Sequence, residues 1–175
     1  MEDFRSLLTT YQHRVYNQAY RMLGNVEDAE EATQDIFMKV YRSMEDFRGE
    51  SAVSTWIYRI TANECISRLR KKQLDTTSFD EPFEPGECKS LADIIPDKGV
   101  DPEALLESHE TAEMIRAEVQ RLPANWAMAI SLYHFDYLSY DEIAEIMEIP
   151  TATVATYISR GRKQLAGQLL HVMEK

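Results

Sequence analysis

The 175-residue chain predicts an all-α fold: two small helical bundles joined by an acidic flexible linker, the C-terminal one containing a helix-turn-helix. Three observations lead there. Apolar residues recur at steps of three and four towards both ends of the chain, without the alternation that marks strands. Helix start and stop signals fall between those stripes. The charge is also uneven: residues 1–73 hold 11 acids and 11 bases, 74–108 hold 10 and 2, and 109–175 hold 9 and 6, so most of the net −11 sits in the middle. That middle stretch carries four of the six prolines and two of the six glycines, which is a linker composition. The divisions expected are 1–73, 74–107 and 108–175.

Phe4, Leu7, Leu8, Tyr11, Val15, Ala19, Met22 and Leu23 form the first stripe, ended by Gly24. Asn25, with Asp28 three positions on, resembles a cap for a second helix carrying Ala29, Ala32, Ile36, Phe37, Val40, Tyr41 and Met44. A third helix, with Ser54 as expected cap, runs through Trp56, Ile57, Ile60, Ile66 and Leu69 into a basic end. After the linker, Asp101 is the expected cap of a helix with Pro102 in its first position. Leu105, Leu106, Ile115, Val119 and Leu122 carry its stripe to Pro123, and another helix covers about 125–135. Ser139 and Glu142 make a capping box for a short helix that Pro150 stops, and Thr151 is the expected cap of the last one.

Composition excludes several classes. No apolar run approaches the roughly 18–20 residues of a membrane span, and the first residues carry acids where a signal peptide has its basic leader. A cytoplasmic protein without membrane insertion is expected. Cys65 and Cys88 form no metal-spaced pair, and His13, His109, His134 and His171 stand singly, so no metal or other cofactor is expected. No nucleotide loop, nucleophile motif or catalytic constellation appears, so no catalytic residue is named.

A short helix, a tight turn and a second helix is the geometry by which a helix enters the DNA major groove. On the final helix Val154, Ile158 and Leu165 face inward, leaving Thr153, Thr156, Ser159, Arg160 and Lys163 outward. Hydroxyls and arginine suit base edges and phosphates. The plainer alternative is a capped helical hairpin whose basic residues complement the helix dipole.

"LSYDEIAEIMEIPTATVATYISRGRKQL" resembles the C-terminal helix-turn-helix of the extracytoplasmic-function (group IV) sigma factors of the sigma-70 family. "DAEEATQDIFMKVYRSMEDFRGESAVSTWIYRITANECISRLRKK" resembles the same family's core-binding helix and its minus-ten-reading segment, in the family's order. The chain departs from the pattern at Ala155 and Tyr157, where positive residues are usual, at Gly161 in place of alanine, and at Glu148 in place of the turn glycine.

The resemblance implies a specificity subunit of bacterial RNA polymerase, not an enzyme, that directs promoter-specific transcription. Its partners would be core RNA polymerase, duplex minus-thirty-five DNA and single-stranded minus-ten DNA, with an anti-sigma factor as inhibitor in a stress response. Thr151, Thr153, Thr156, Tyr157, Ser159, Arg160 and Lys163 would meet the minus-thirty-five element. Phe47, Arg48, Ser51, Ser54, Thr55, Arg59, Asn63 and Arg68 would meet the minus-ten element, with Asn63 reading a base and Arg59 and Arg68 holding phosphates. Asp35, Phe37, Met38, Tyr41 and Arg42 would face the polymerase. Taken singly, Phe37, Val40 and Tyr41 read as core before they read as partner contacts, and Trp56 is read as core. The acidic linker is read either as a segment threading the polymerase's basic channel or as a solvated tether. Two other functions compete: a promoter-binding regulator that never joins polymerase, which leaves the N-terminal resemblance unexplained, and an enzyme built on Glu27, Asp28, Glu30 and Glu31, acids that a helix start ordinarily attracts.

Overall fold

The structure, a computed structural model, describes residues 3–76 and 102–173, with side chains for 3–75 and 112–168. The described residues form seven helices and no strand: α1 (Phe4–Leu23), α2 (Val26–Ser43), α3 (Val53–Thr76), α4 (Pro102–Arg121), α5 (Ala124–His134), α6 (Tyr140–Met147) and α7 (Thr151–Met173). The all-α expectation holds. Helix α3 runs to Thr76 and α4 resumes at Pro102, while Asp101, the expected cap, lies outside the described residues, as does Cys88.

The N-terminal unit packs α1 against α2 and α3. Val15, Ala19 and Met22 of α1 meet Ala32, Ile36 and Val40 of α2 and Ile57, Ala62 and Leu69 of α3 in a fully buried core. Gly24 ends α1 at φ 82°, its N–H donating to the Tyr20 carbonyl. Lys72 Nζ also donates, to the Leu23 carbonyl at 2.7 Å, placing a cation at the negative end of the helix. Asn25 caps α2 by accepting from the Asp28 N–H at 2.8 Å, as its sequence implied. Cys65 is fully buried, and burial pushes its thiol up to about 12. It is inert as a nucleophile at neutral pH.

In the C-terminal unit α5 packs on α7 and α6, and α6 on α7. The Ser139–Glu142 capping box is present, with both halves formed. Two expected caps are corrected. Helix α3 starts at Val53 and the Ala52 carbonyl accepts from the Trp56 N–H at 3.0 Å, so Ser54 is the second helical residue. The Pro150 carbonyl accepts from the Thr153 N–H at 2.8 Å, which makes Thr151 the first residue of α7 rather than its cap. The Thr151 hydroxyl instead donates to Asp141 Oδ1 at 3.0 Å, fastening α7 to α6.

Helix α5 is buried on every side: Ala124, Ala127, Met128, Ala129, Ile130, Ser131 and Leu132 all lie in the interior. Its own unit covers only part of that surface. The remainder is covered by α1 and α3, so the two units sit against one another, with α6 also on α3 and α4 on α1.

Candidate nucleic-acid and polymerase interfaces

On α7, Val154, Ile158 and Leu165 are buried and the opposite face is open. Thr151, Thr156, Ser159, Arg160 and Lys163 are exposed; Thr153 and Tyr157 are half-buried, with Tyr157 packed against the core. Thr156 donates its hydroxyl proton to the Ala152 carbonyl at 2.9 Å, leaving the oxygen as an acceptor. Arg162, the neighbouring basic residue, turns inward: its Nε donates to His134 Nε2 at 3.0 Å and its guanidinium lies 5.1 Å from the Tyr133 ring centroid. Burial, then the Arg162 charge, holds His134 below the usual imidazole range, so it serves as a neutral acceptor. Glu148 takes the turn between α6 and α7 in the left-handed conformation at φ 54°, the place of the missing glycine.

At the start of α3, Ser54 and Thr55 join Tyr58, Phe135, Asp136 and Glu142 around a cavity of about 350 Å³. Phe47 lies on Trp56 at 4.6 Å between centroids. Arg48 and Asn63 are exposed and Ser51 is half-buried; Trp56, half-buried, packs on the core as expected. Arg59 reaches across to the other unit, donating from Nη2 to the Glu145 carbonyl at 3.2 Å and pairing with Glu148 at 3.5 Å.

Arg68 requires a correction. It is held by three carboxylates, Glu64 at 2.6 Å, Glu31 at 3.4 Å and Asp35, so its guanidinium is committed to bracing α2 against α3 and is not offered to phosphate. Burial would lower its charge, but those carboxylates outweigh it and the pKa is raised.

On α2, Met38 (49 % exposed) and Tyr41 (60 %) stand out of the surface, with Asp35 and Arg42 exposed beside them. Phe37 is the second correction: at 5 % exposed it is part of the core, edge-on to Phe4 at 6.5 Å, and is no surface contact.

Sequence reasoning missed a polar cluster between the units. Gln18 and Arg21 sit on the inner side of α1, among Val15, Ala19 and Met22. Arg21 donates to Asp136 Oδ2 at 2.8 Å, to Ser131 Oγ at 3.0 Å and to Gln18 Oε1 at 2.6 Å. Ser131 in turn donates to Gln18 Oε1 at 3.0 Å, and Gln18 Nε2 approaches Met128 Sδ at 2.9 Å. Burial raises the Asp136 carboxyl's pKa against the opposing pull of Arg21. A glutamine and an arginine interrupting an otherwise apolar stripe were the available signal.

Comparison with known proteins decides the family. Residues 7–74 match the family model described as Sigma-70 region 2, and residues 112–165 match that described as Sigma-70, region 4. The ECF RNA polymerase sigma factor SigW of Bacillus subtilis (strain 168) is 37 % identical over 168 residues, covering 96 % of this chain and 89 % of SigW. The chain belongs to the ECF sigma factors of the sigma-70 family. Another relative, the ECF RNA polymerase sigma-E factor of Escherichia coli (strain K12), is 35 % identical over 93 % of this sigma factor and 84 % of its own length. Among solved structures, the sigma factor RpoE of Bartonella quintana, in complex with the anti-sigma factor NepR, superposes with a TM-score of 0.65 at 20 % identity, over 97 % of this chain and 98 % of RpoE. CnrH, in complex with the cytosolic domain of CnrY, gives 0.60 at 20 % identity over 95 % and 86 %. Those two show a shared fold. As a member of the family, this sigma factor binds core RNA polymerase and directs promoter-specific initiation. Among its described residues no helix is long and apolar enough to cross a membrane.

Proposed function

We propose that this sigma factor reads the minus-thirty-five element with Thr151, Thr153, Thr156, Tyr157, Ser159, Arg160 and Lys163, and the minus-ten element with Phe47, Arg48, Ser51, Ser54, Thr55, Arg59 and Asn63. Asp35, Met38, Tyr41 and Arg42 meet the polymerase. The observation that carries the reading is the open face of α7, where Ser159 and Arg160 are exposed opposite the buried Val154 and Ile158. Hydroxyl and guanidinium groups on one helix face are the chemistry of base-edge and phosphate recognition. The exposed Met38 and Tyr41 support a partner contact in the N-terminal unit, because large apolar side chains left in water mark binding surfaces when they cluster.

The working division is residues 1–73 for polymerase and the minus-ten element, 74–107 as an acidic tether, and 108–175 for the minus-thirty-five element. The protein acts in the cytoplasm as a non-catalytic subunit in a stress response. An anti-sigma factor restrains it, a reading supported by the fold shared with RpoE and CnrH, the former in complex with an anti-sigma factor.

Net charge shapes the mechanism. The N-terminal unit balances 11 acids with 11 bases, so counterion release gives it little non-specific affinity for DNA. Promoter binding therefore depends on polymerase. Run-off transcription with purified core RNA polymerase tests the whole reading: the protein should add discrete promoter-specific starts, and no gain over core alone would overturn it.

A further inference from the structure

Thr151 opens the helix assigned to the minus-thirty-five element, and its hydroxyl proton is already engaged. Thr151 Oγ1 donates to Asp141 Oδ1 of α6 at 3.0 Å, and because a carboxylate oxygen can only accept, the direction of that bond is fixed. What Thr151 still offers is a pair of acceptor sites. Both residues are exposed, so the pair stands at the surface where α6 meets the start of α7.

Neighbouring acids are occupied elsewhere. Glu142 accepts from the Ser139 N–H and hydroxyl at 2.8 and 2.9 Å, and Glu148, in the turn, pairs with Arg59 at 3.5 Å. Asp141 is turned to the reading helix instead. A carboxylate beside the first residue of α7 repels the phosphate that free N–H groups at a helix start would otherwise attract. That directs this corner away from the sugar-phosphate backbone and towards base edges.

We propose that Asp141 is a positioning residue for promoter specificity: by holding the Thr151 proton it makes that hydroxyl a pure acceptor, which selects a base carrying an exocyclic amine. The proposal rests on the assignment of α7 as the minus-thirty-five reader given above. In the major groove adenine offers its N6 amine and cytosine its N4 amine, whereas guanine shows acceptors at O6 and N7 and thymine an acceptor at O4. Acceptor against acceptor forms no bond and leaves the guanine or thymine oxygen without its water. The corner thus sorts amino bases from keto bases on the contacted strand. A bond to a charged partner also polarises the hydroxyl, which strengthens it as an acceptor.

Thr156 has the same polarity with a looser hold. Its hydroxyl donates to the Ala152 carbonyl at 2.9 Å, a neutral partner that the helix already supplies with an N–H, so turning away costs it less. Thr151 is where the polarity is enforced.

The test uses holoenzyme assembled from core RNA polymerase and the full chain, on promoters in which every minus-thirty-five position carries each base pair in turn. Run-off yield at sub-saturating holoenzyme should show one position where the wild type favours adenine or cytosine over guanine or thymine by about five- to tenfold, the scale of one hydrogen bond. Thr151→Val, nearly isosteric, should erase that preference by weakening adenine and cytosine. Asp141→Ala should shrink it to under about twofold by the other route, raising guanine and thymine, because the freed proton can be donated to them. In the Thr151→Val background, Asp141→Ala should leave base preference unchanged, since nothing remains for it to position. Loss of the Asp141 charge acts on all sequences alike and moves no preference. Neither substitution touches the core or the Ser139–Glu142 cap.

A wild-type preference for guanine or thymine at the position that Thr151→Val flattens would overturn the proposal. So would no response to Thr151→Val, or an Asp141→Ala effect common to every promoter. Arg160→Ala separates this from the assignment beneath it. If neither Arg160→Ala nor Thr151→Val alters any position, the α7 reading face itself falls, whereas a response to Arg160→Ala alone leaves that face standing and removes the role of Asp141.

Discussion

Gly161 of α7 lies directly against Ile130 of α5, and a Cβ at the glycine would come within 2.4 Å of Ile130 Cδ1. Ile130 is 1 % exposed, so its δ-methyl has little room to withdraw. A glycine within a helix is worth roughly 1 kcal/mol less than alanine, whereas overpacking a core costs about 1–3 kcal/mol. The departure from the family's alanine is therefore a packing requirement of α5 against α7. Gly161→Ala should lower the urea midpoint. In an Ile130→Val background, where the clashing methyl is gone and the nearest remaining contact is 3.3 Å, the same substitution should raise the unfolding free energy, by up to about 1 kcal/mol relative to Ile130→Val alone.

Glu148 presents the opposite case. Its φ of 54° imposes a left-handed conformation that costs a side-chain-bearing residue ~1–2 kcal/mol. Its pairing with Arg59 is exposed on the glutamate side and worth under about 1 kcal/mol. Backbone relief wins, and Glu148→Gly should stabilise the C-terminal unit by about 1 kcal/mol, read from thermal or urea unfolding.

Acid stability follows from the braces of the N-terminal unit. Burial alone would raise the Glu64 carboxyl, but hydrogen bonds and charge from Lys39 and Arg68 hold it below the usual carboxylate range. The Asn25 hydrogen bond, with Lys72, does the same for Asp28. Both groups contribute stability that is complete above the ordinary carboxylate pKa and lost as pH falls through their depressed values. Asp136 runs the other way: its raised pKa favours the neutral acid, a contribution present below the ordinary pKa and lost as pH rises through the raised one. Glu64→Gln should therefore flatten the acid limb of a stability–pH curve measured by urea unfolding, and an unchanged limb would contradict the brace.

The α7 surface can be tested by restoring a missing charge as well as by removing one. Ala155→Lys should tighten binding to minus-thirty-five DNA in the polymerase complex and steepen its logarithmic salt dependence by about 0.9 for one added phosphate contact. Arg160→Ala should reduce promoter-specific transcription by roughly 5- to 150-fold, the equivalent of ~1–3 kcal/mol, while leaving polymerase binding intact. Quantitative run-off assays across a salt series measure both.

Much of this architecture is written locally. Gly24, Asn25 and the Ser139–Glu142 box each act on backbone groups within a few residues, and each does in the structure what its sequence implies. Ser54 and Thr151 misled because a hydroxyl near a helix start is compatible with more than one position, and the carbonyls of Ala52 and Pro150 open those helices instead. Arg68 looked available for phosphate because its partners Glu31 and Asp35 lie on another helix, over thirty residues away. The joining of the two units was least visible, since Gln18 and Arg21 find Ser131 and Asp136 through polar contacts that leave no apolar periodicity. The mostly apolar surface of α5, too extensive for its own small bundle to cover, was the trace of that contact in the sequence.

The polar cluster between the two units also bears on how the protein is made. Gln18 and Arg21 leave the ribosome more than a hundred residues ahead of Ser131 and Asp136. At ~5–20 residues per second the N-terminal bundle must wait several seconds or longer with that face uncovered. An apolar face would invite aggregation during the interval. An amide and a guanidinium are content in water, so the nascent bundle stays soluble until its partner emerges.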